Sequence, residues 1–156
     1  MQGNSAVMEL TSMKQFFHNS ISVLEEEDSG YRPHEKAWTV AQQMRHTAMT
    51  VGWFADAVFG EGFKQNWEEQ MEFIGKASSL EEEKAYFDKE VEKACTAFGA
   101  LTEEQLDAPI PDNPMMGPAP KRAIVGAISD HTAHHRGALA TYARIMGKEP
   151  RMPYGE

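Results

Sequence analysis

Two histidines near the C-terminal end of the chain have the spacing of paired metal ligands. His131 and His135 are four residues apart, so on a helix one imidazole lies above the other, with Cβ atoms about 5–6 Å apart. Both interrupt an apolar stripe that runs through Ile124, Ile128, Leu139, Tyr142 and Met146. Burying two imidazoles without partners would cost roughly 1–3 kcal/mol each, and one shared metal ion would satisfy both. The pair therefore favours a metal site, and the alternative is a pair of hydrogen-bonded core histidines.

A third ligand has to come from another helix, and His46 is the candidate. It is the one histidine of the second helical segment, on a flank that it shares with Met49, Thr50 and Trp53. Three histidines leave at least one coordination position open, which is typical of catalytic rather than structural zinc. The chain has a single cysteine, Cys95, so a closed site of several thiolates is not expected.

The other three histidines are expected to lie outside the ligand set. His134 points about 100° away from His135 on a helix of 3.6 residues per turn, so we expect it to be exposed or to lie behind the ligands. His18 is beside Phe17 in the first helical segment, and His34 is in a loop. Histidines at such positions are more often found at the surface than in a metal site.

An open three-histidine site can support two kinds of chemistry. The metal can lower the pKa of a bound water toward ~7 for hydrolysis, or it can hold a thiol as the nucleophilic thiolate. Tyr142, on the same face as His135, is the candidate proton donor, and the alternative is a core tyrosine whose hydroxyl is bonded elsewhere. Three imidazoles suit zinc, nickel, iron or copper, and we expect zinc or nickel.

Four long amphipathic segments must position these side chains. Apolar residues recur at intervals of three and four, which predicts helices near residues 7–27, 39–59, 79–101 and 121–146. Thr39 and Ser79 are predicted N-terminal caps, Gly147 is a predicted helix stop, and a short helix is expected around 67–73. Five of the eight prolines lie in residues 107–120, which predicts a long loop before the last helix. The pattern predicts an all-α, four-helix bundle, with residues 1–156 as a single domain.

Composition and charge exclude several classes of protein. The chain has 156 residues, 41% of them hydrophobic and 25% charged, and a formal net charge of −9. Residues 1–120 carry nine basic and 21 acidic side chains, so most of the surface would repel nucleic acid. No apolar run reaches the ~20 residues of a bilayer span, and no signal peptide is evident. We therefore expect a cytoplasmic protein that binds neither nucleic acid nor membranes.

Two short motifs resemble those of a known family. Residues 38–46, Trp-Thr-Val-Ala-Gln-Gln-Met-Arg-His, are similar to the opening of the second helix in the DinB-like (DinB or YfiT-like) superfamily of metal-binding four-helix bundles. Residues 131–137, His-Thr-Ala-His-His-Arg-Gly, are similar to the family's His-x-x-x-His-Arg-Gly near the start of the last helix. By this resemblance His46, His131 and His135 are the metal ligands. The glutamine that often follows the second motif is replaced here by Ala138.

The resemblance also implies an activity, because family members of known function are often transferases or isomerases that use a low-molecular-weight thiol. We therefore expect a metal-dependent enzyme, of thiol-dependent transferase or hydrolase type, that acts on a small molecule as a homodimer. Dimerisation is also indicated by apolar side chains spread around the end of the second helix, namely Trp53, Phe54, Val58 and Phe59. Two alternatives are a metal-dependent binding or sensor module without turnover, and a helical dimerisation protein whose histidines belong to the core.

Overall fold

The computed structural model describes residues 4–155, and within that range the chain forms helices and no β-strand. The helices are α1 (Ser5–Ile21), α2 (Val40–Phe59), α3 (Trp67–Gly75), α4 (Leu80–Gly99), α5 (Glu103–Asp107) and α6 (Lys121–Ile145), with a 3₁₀ turn at Glu26–Asp28. The four long helices form a bundle in which α1 and α2 each pack against both α4 and α6. The predicted all-α four-helix bundle is confirmed. None of the described helices is long and apolar enough to cross a lipid bilayer.

The core of the bundle is built from the apolar stripes of the long helices. Phe17 of α1 and Phe87 of α4 are fully buried, with ring centroids 4.5 Å apart. Val40 and Val51 of α2 belong to the same buried cluster as Leu139 of α6. Helices α2 and α6 are neighbours in the bundle. Their facing sides carry the histidines that the sequence singled out.

The start of α2 is fixed by the predicted cap at Thr39. Its hydroxyl accepts a hydrogen bond from the Gln42 N–H at 3.2 Å, and the Gln42 side-chain oxygen accepts one from the Thr39 N–H at 3.0 Å. This reciprocal pair satisfies two backbone donors that the first helical turn leaves free. At the start of α4, the Ser79 hydroxyl accepts from the Glu82 N–H at 3.2 Å. Both caps agree with the sequence prediction.

Helix α1 ends at Ile21, earlier than the predicted residue 27. The hydroxyl of Ser22 donates to a carbonyl oxygen one turn earlier at 2.8 Å, which competes with continuation of the helix. The following acidic residues form their own 3₁₀ turn, in which the Glu25 N–H donates to Asp28 Oδ2 at 2.7 Å. The Lys148 ammonium contacts the same carboxylate at 2.6 Å. The acidic run is therefore anchored to the end of α6 rather than to α1.

The short helix α3 and the connection between α5 and α6 lie beside the histidine-bearing sides of α2 and α6. The short helix expected around 67–73 is present as α3. Residues 108–120 connect α5 to α6 without a helix, and the Ile110 N–H donates to the Ala119 carbonyl at 2.9 Å, which holds the two ends of this connection together. Its tip carries Met115, whose sulfur accepts a hydrogen bond from the Gln65 side chain at 3.4 Å.

Candidate metal centre

The three predicted ligands come together between α2 and α6. His46 Nε2 lies 3.1 Å from His131 Nε2, and His135 Nε2 also lies 3.1 Å from His131 Nε2. The ligand atoms of all three side chains lie within 4.8 Å of one another. Two nitrogens bound at about 2.0–2.1 Å to one tetrahedral ion would be roughly 3.3 Å apart. The spacing of the histidine nitrogens therefore fits a single ion of this size.

The surroundings keep these imidazoles uncharged. Burial, the larger cause, and repulsion from neighbouring imidazoles, His134 among them, together lower the pKa of His46 and of His131 to about 4 and that of His135 to about 3. A neutral imidazole has one protonated nitrogen and one lone pair. The site therefore offers lone pairs at neutral pH, which is the form that a metal ion binds.

The Gln43 side chain contacts the far nitrogen of His135. Gln43 is buried and precedes His46 by three residues on α2, so the two side chains share one side of the helix. Gln43 Nε2 lies 2.7 Å from His135 Nδ1, so in this orientation the amide donates to the ring. Turning the amide by 180° would place its oxygen there, where it would accept the Nδ1 proton of a ring that binds a metal ion through Nε2. Gln43 was not among the residues predicted from the sequence, because its spacing from His46 places it on that side of α2 but does not show that it meets His135.

Trp38 forms one wall of the site. Its ring centroid lies 4.6 Å from that of His46 and 6.5 Å from that of His135. The Tyr142 hydroxyl donates to the Trp38 carbonyl oxygen at 3.2 Å, and burial raises the pKa of Tyr142. The candidate proton donor thus has a backbone partner away from the imidazoles. In this arrangement Tyr142 holds the residue that packs on His46.

The remaining histidines lie outside the cluster. His134 is exposed, with its ring centroid 4.8 Å from that of His135. His18 Nε2 lies 2.6 Å from a carboxylate oxygen of Asp88 on α4. His34 is exposed and accepts a hydrogen bond from the Lys36 N–H at 3.1 Å. Within residues 4–155, the group of side chains placed to share a metal ion consists of His46, His131 and His135.

The fold and the site together define a helical bundle with a three-histidine cluster on two adjacent helices. The sequence profile of the DinB superfamily matches residues 10–139. The chain belongs to the DinB superfamily, as its two motifs indicated.

Relatives of the chain share its length and its architecture. The uncharacterized protein YjoA of Bacillus subtilis (strain 168) is 27% identical over 150 residues, which cover 94% of this chain and 92% of YjoA. The crystal structure of this DinB-like YjoA has a TM-score of 0.68 at 23% identity, covering 95% of this chain and 96% of that one. A DinB-like protein from Bacillus cereus ATCC 10987 has a TM-score of 0.73 at 16% identity, covering 93% of each chain.

One structural neighbour is an enzyme by its description. A variant of mycothiol-dependent maleylpyruvate isomerase has a TM-score of 0.71 at 14% identity. The match covers 89% of this chain and 61% of the isomerase, so the chain spans less than two thirds of that protein. At these identities, the likeness to the solved structures establishes a shared fold.

Proposed function

We propose that this protein is a metal-dependent enzyme that uses a low-molecular-weight thiol in a transfer or isomerisation reaction on a small molecule. His46, His131 and His135 hold one divalent ion, zinc or nickel, and leave part of its coordination shell open. The observation that carries this proposal is the convergence of three neutral imidazoles, with Nε2 atoms 3.1 Å apart in two of the three pairs. The enzymatic activity of a structural neighbour supports it by analogy.

A metal site accounts for these contacts better than a core of hydrogen-bonded histidines. If the rings only bonded one another, a single Nε2–H at His131 could serve just one of its two partners at a time. The remaining Nε2 atom would then have no hydrogen bond within the cluster, which costs roughly 1–3 kcal/mol for a buried polar group. A cation between the rings accepts all three lone pairs at once.

The donor set suits a metal-bound anionic nucleophile, and the thiol-dependent structural neighbour favours a thiolate over hydroxide. Three neutral ligands leave the ion its full positive charge, which would stabilise either anion at the open position. Many hydrolases also place a carboxylate as general base near the attacking water. Asp130, next to His131 in sequence, is exposed, and the group of metal-capable side chains in residues 4–155 contains no carboxylate. A thiol would release its proton to solvent on binding the ion, and the resulting thiolate would be the nucleophile.

A reducing compartment such as the cytoplasm suits this activity, because low-molecular-weight thiols stay reduced there. The lone thiol of the chain, Cys95, is half-buried, and burial raises its pKa. A raised pKa keeps this side chain protonated and unreactive near neutral pH. The reacting thiol is therefore expected to come from a separate small molecule.

Metal analysis of protein prepared without a histidine tag tests the proposal. The wild type and His134→Ala should retain about one divalent ion per chain after dialysis, and His135→Ala should retain almost none. His134 is the matched control because it neighbours His135 and is exposed. Equal metal content in both variants would favour the core-histidine interpretation. Addition of a thiol to cobalt-loaded protein should produce a sulfur-to-cobalt absorption band, and its absence would favour hydrolysis.

A further inference from the structure

A cavity of about 260 Å³ opens directly beside the histidine cluster, and His46 and His131 are part of its wall. Most of the remaining wall is aromatic or thioether: Met49, Trp53, Phe54, Trp67 and Met115. These side chains come from α2, from α3 and from the connection before α6. An engineered apolar cavity of about 150 Å³ holds a benzene ring. The space beside the cluster is thus large enough for one ring with a short substituent.

The polar groups of this wall are few and mostly engaged. The Trp53 indole N–H donates to the Lys64 carbonyl at 2.7 Å, and the Thr50 hydroxyl donates to the His46 carbonyl at 2.7 Å. Gln70 adds a neutral amide that can donate or accept one further hydrogen bond. Among the described residues, no lysine, arginine, aspartate or glutamate lines the cavity. A charged group held in the cavity away from His46 and His131 would lose hydration without gaining a partner.

We infer that this cavity binds the apolar part of an uncharged substrate, one aromatic ring or a branched aliphatic group of similar size, with the reacting atom next to His46 and His131. This inference rests on the proposed function for the position of the reacting atom. It adds a substrate class. Molecules that would have to place a carboxylate in the cavity away from the candidate metal ligands are excluded, and molecules that place a neutral group there are accepted.

A second cavity of similar size, about 270 Å³, differs from the first in its wall and in its position. It lies between α1 and α6, and none of the three clustered histidines lines it. Its wall includes the charged side chains of Glu9 and Arg136. The cavity beside the histidines is therefore distinguished both by its apolar wall and by its access to the candidate metal ligands.

The test uses phenylmethanethiol and 4-(mercaptomethyl)benzoate, which share the ring and the thiol and differ by one carboxylate. 4-(Mercaptomethyl)benzamide, of the same size as the benzoate but neutral, controls for the added volume, and ethanethiol probes the metal alone. Binding to zinc-loaded protein is followed by calorimetry and by quenching of tryptophan fluorescence. Phenylmethanethiol should bind at least about tenfold more tightly than its carboxylate, a difference of about 1.4 kcal/mol. Equal binding, or tighter binding of the carboxylate, would overturn the inference.

Substitutions at Met115 test whether the preference for the uncharged ligand arises in this cavity. Met115 is 44% exposed, so Met115→Glu and Met115→Lys should fold normally while placing a charge at the cavity. Met115→Glu should weaken phenylmethanethiol about tenfold and leave ethanethiol unchanged. Met115→Lys should reduce the discrimination against the carboxylate by a similar factor. The matched control is Met152→Glu, because Met152 is 66% exposed and does not line the cavity. This variant should bind both ligands as the wild type does. If both Met115 variants kept the wild-type preference for phenylmethanethiol over its carboxylate, the assignment of that preference to this cavity would be contradicted.

A metal-free arm separates the two proposals. Toluene and benzoate are compared on chelated protein by the same fluorescence quenching. If the protein holds no zinc but prefers toluene in a Met115-dependent way, the cavity assignment stands and the metal-dependent function fails. If zinc binds and toluene is not preferred, the substrate class is wrong and the metal site is unaffected.

Discussion

The side-chain amide of Gln43 contacts the nitrogen of His135 that points away from the other two imidazoles, with Gln43 Nε2 2.7 Å from His135 Nδ1. When Nε2 of this ring binds a metal ion, Nδ1 carries a proton, and the amide turned by 180° would accept it. An apolar side chain at this position offers no acceptor. We expect Gln43→Leu to lower zinc affinity about 10–100-fold and Gln43→Glu to preserve it, because a carboxylate also accepts that proton. Competition with a chromophoric chelator measures both. Gln15→Leu, at an exposed position of α1, is the control, and an unaltered affinity in Gln43→Leu would show that the contact is incidental.

The buried imidazoles also make the metal-free protein sensitive to acid. Burial places the pKa of His46 and His131 at about 4 and that of His135 at about 3, against 6.5 for an unperturbed imidazole. As pH falls below 6.5, the unfolded chain takes up protons at these positions and the folded chain does not. Stability contributed by the neutral rings is therefore lost progressively between pH 6.5 and about 4.

Thermal unfolding of chelated protein at intervals between pH 7.5 and 4.5 measures this loss. His135→Leu removes one of the three buried groups and should flatten the fall in Tm over that interval. His34→Asn, which replaces an exposed loop histidine, should leave the slope unchanged. A wild-type slope in His135→Leu would contradict the assignment of the acid sensitivity to the cluster.

Helix α2 carries both Gln43 and His46, so its first turn bears on the site. Thr39→Ala removes the hydroxyl that accepts the Gln42 N–H and should lower the free energy of unfolding by about 1 kcal/mol. Denaturant titration measures the change. Thr96→Ala is the control, because the Thr96 side chain is exposed and its hydroxyl only donates back to the Glu92 carbonyl of its own helix at 3.0 Å. This substitution should leave the free energy of unfolding unchanged or raise it slightly. Equal losses in the two variants would exclude a specific contribution from the cap.

The sequence predicts those parts of the fold that depend on local chemistry. The apolar spacing and the Thr39 cap locate α2, and the interruption of the α6 stripe identifies His131 and His135. The end of α1 combines the local hydrogen bond of the Ser22 hydroxyl with contacts distant in sequence, such as that between Lys148 and Asp28. Apolar periodicity reveals neither.

The candidate site likewise has residues that the sequence predicts and residues that are recognised only from the packing of the helices. The histidines stand out by residue type and by position on their helices, whereas Gln43 becomes recognisable only once α2 and α6 are known to be neighbours. Tyr142 is the opposite case, in which the sequence suggested a role that the structure does not require. Its position on α6 predicted a proton donor, whereas in the structure its hydroxyl donates to the Trp38 carbonyl.

Assembly of the whole molecule is a separate prediction, and we propose a homodimer. Trp53 and Phe54 at the end of α2 line the cavity, so they account for part of the apolar surface that suggested an interface. On α3, Trp67 and Met71 lie one turn apart and are 51% and 46% exposed. Light scattering at micromolar concentration should give twice the chain mass of 17.5 kDa, and Met71→Glu should shift this toward the monomer. A monomeric wild type would contradict the proposal.

The relation between metal and folding distinguishes a catalytic site from a structural one. The apolar core of α1, α2, α4 and α6 is continuous without the histidines, so chelated protein should keep the helical circular dichroism of the loaded form. A ligand that binds only the folded state stabilises it by about 2.7 kcal/mol at 100 times its dissociation constant. For a chain of this length, that corresponds to a rise in Tm of about 5–10 °C. Loss of helicity on chelation would instead identify a structural metal, as in zinc fingers that fold only with their ion.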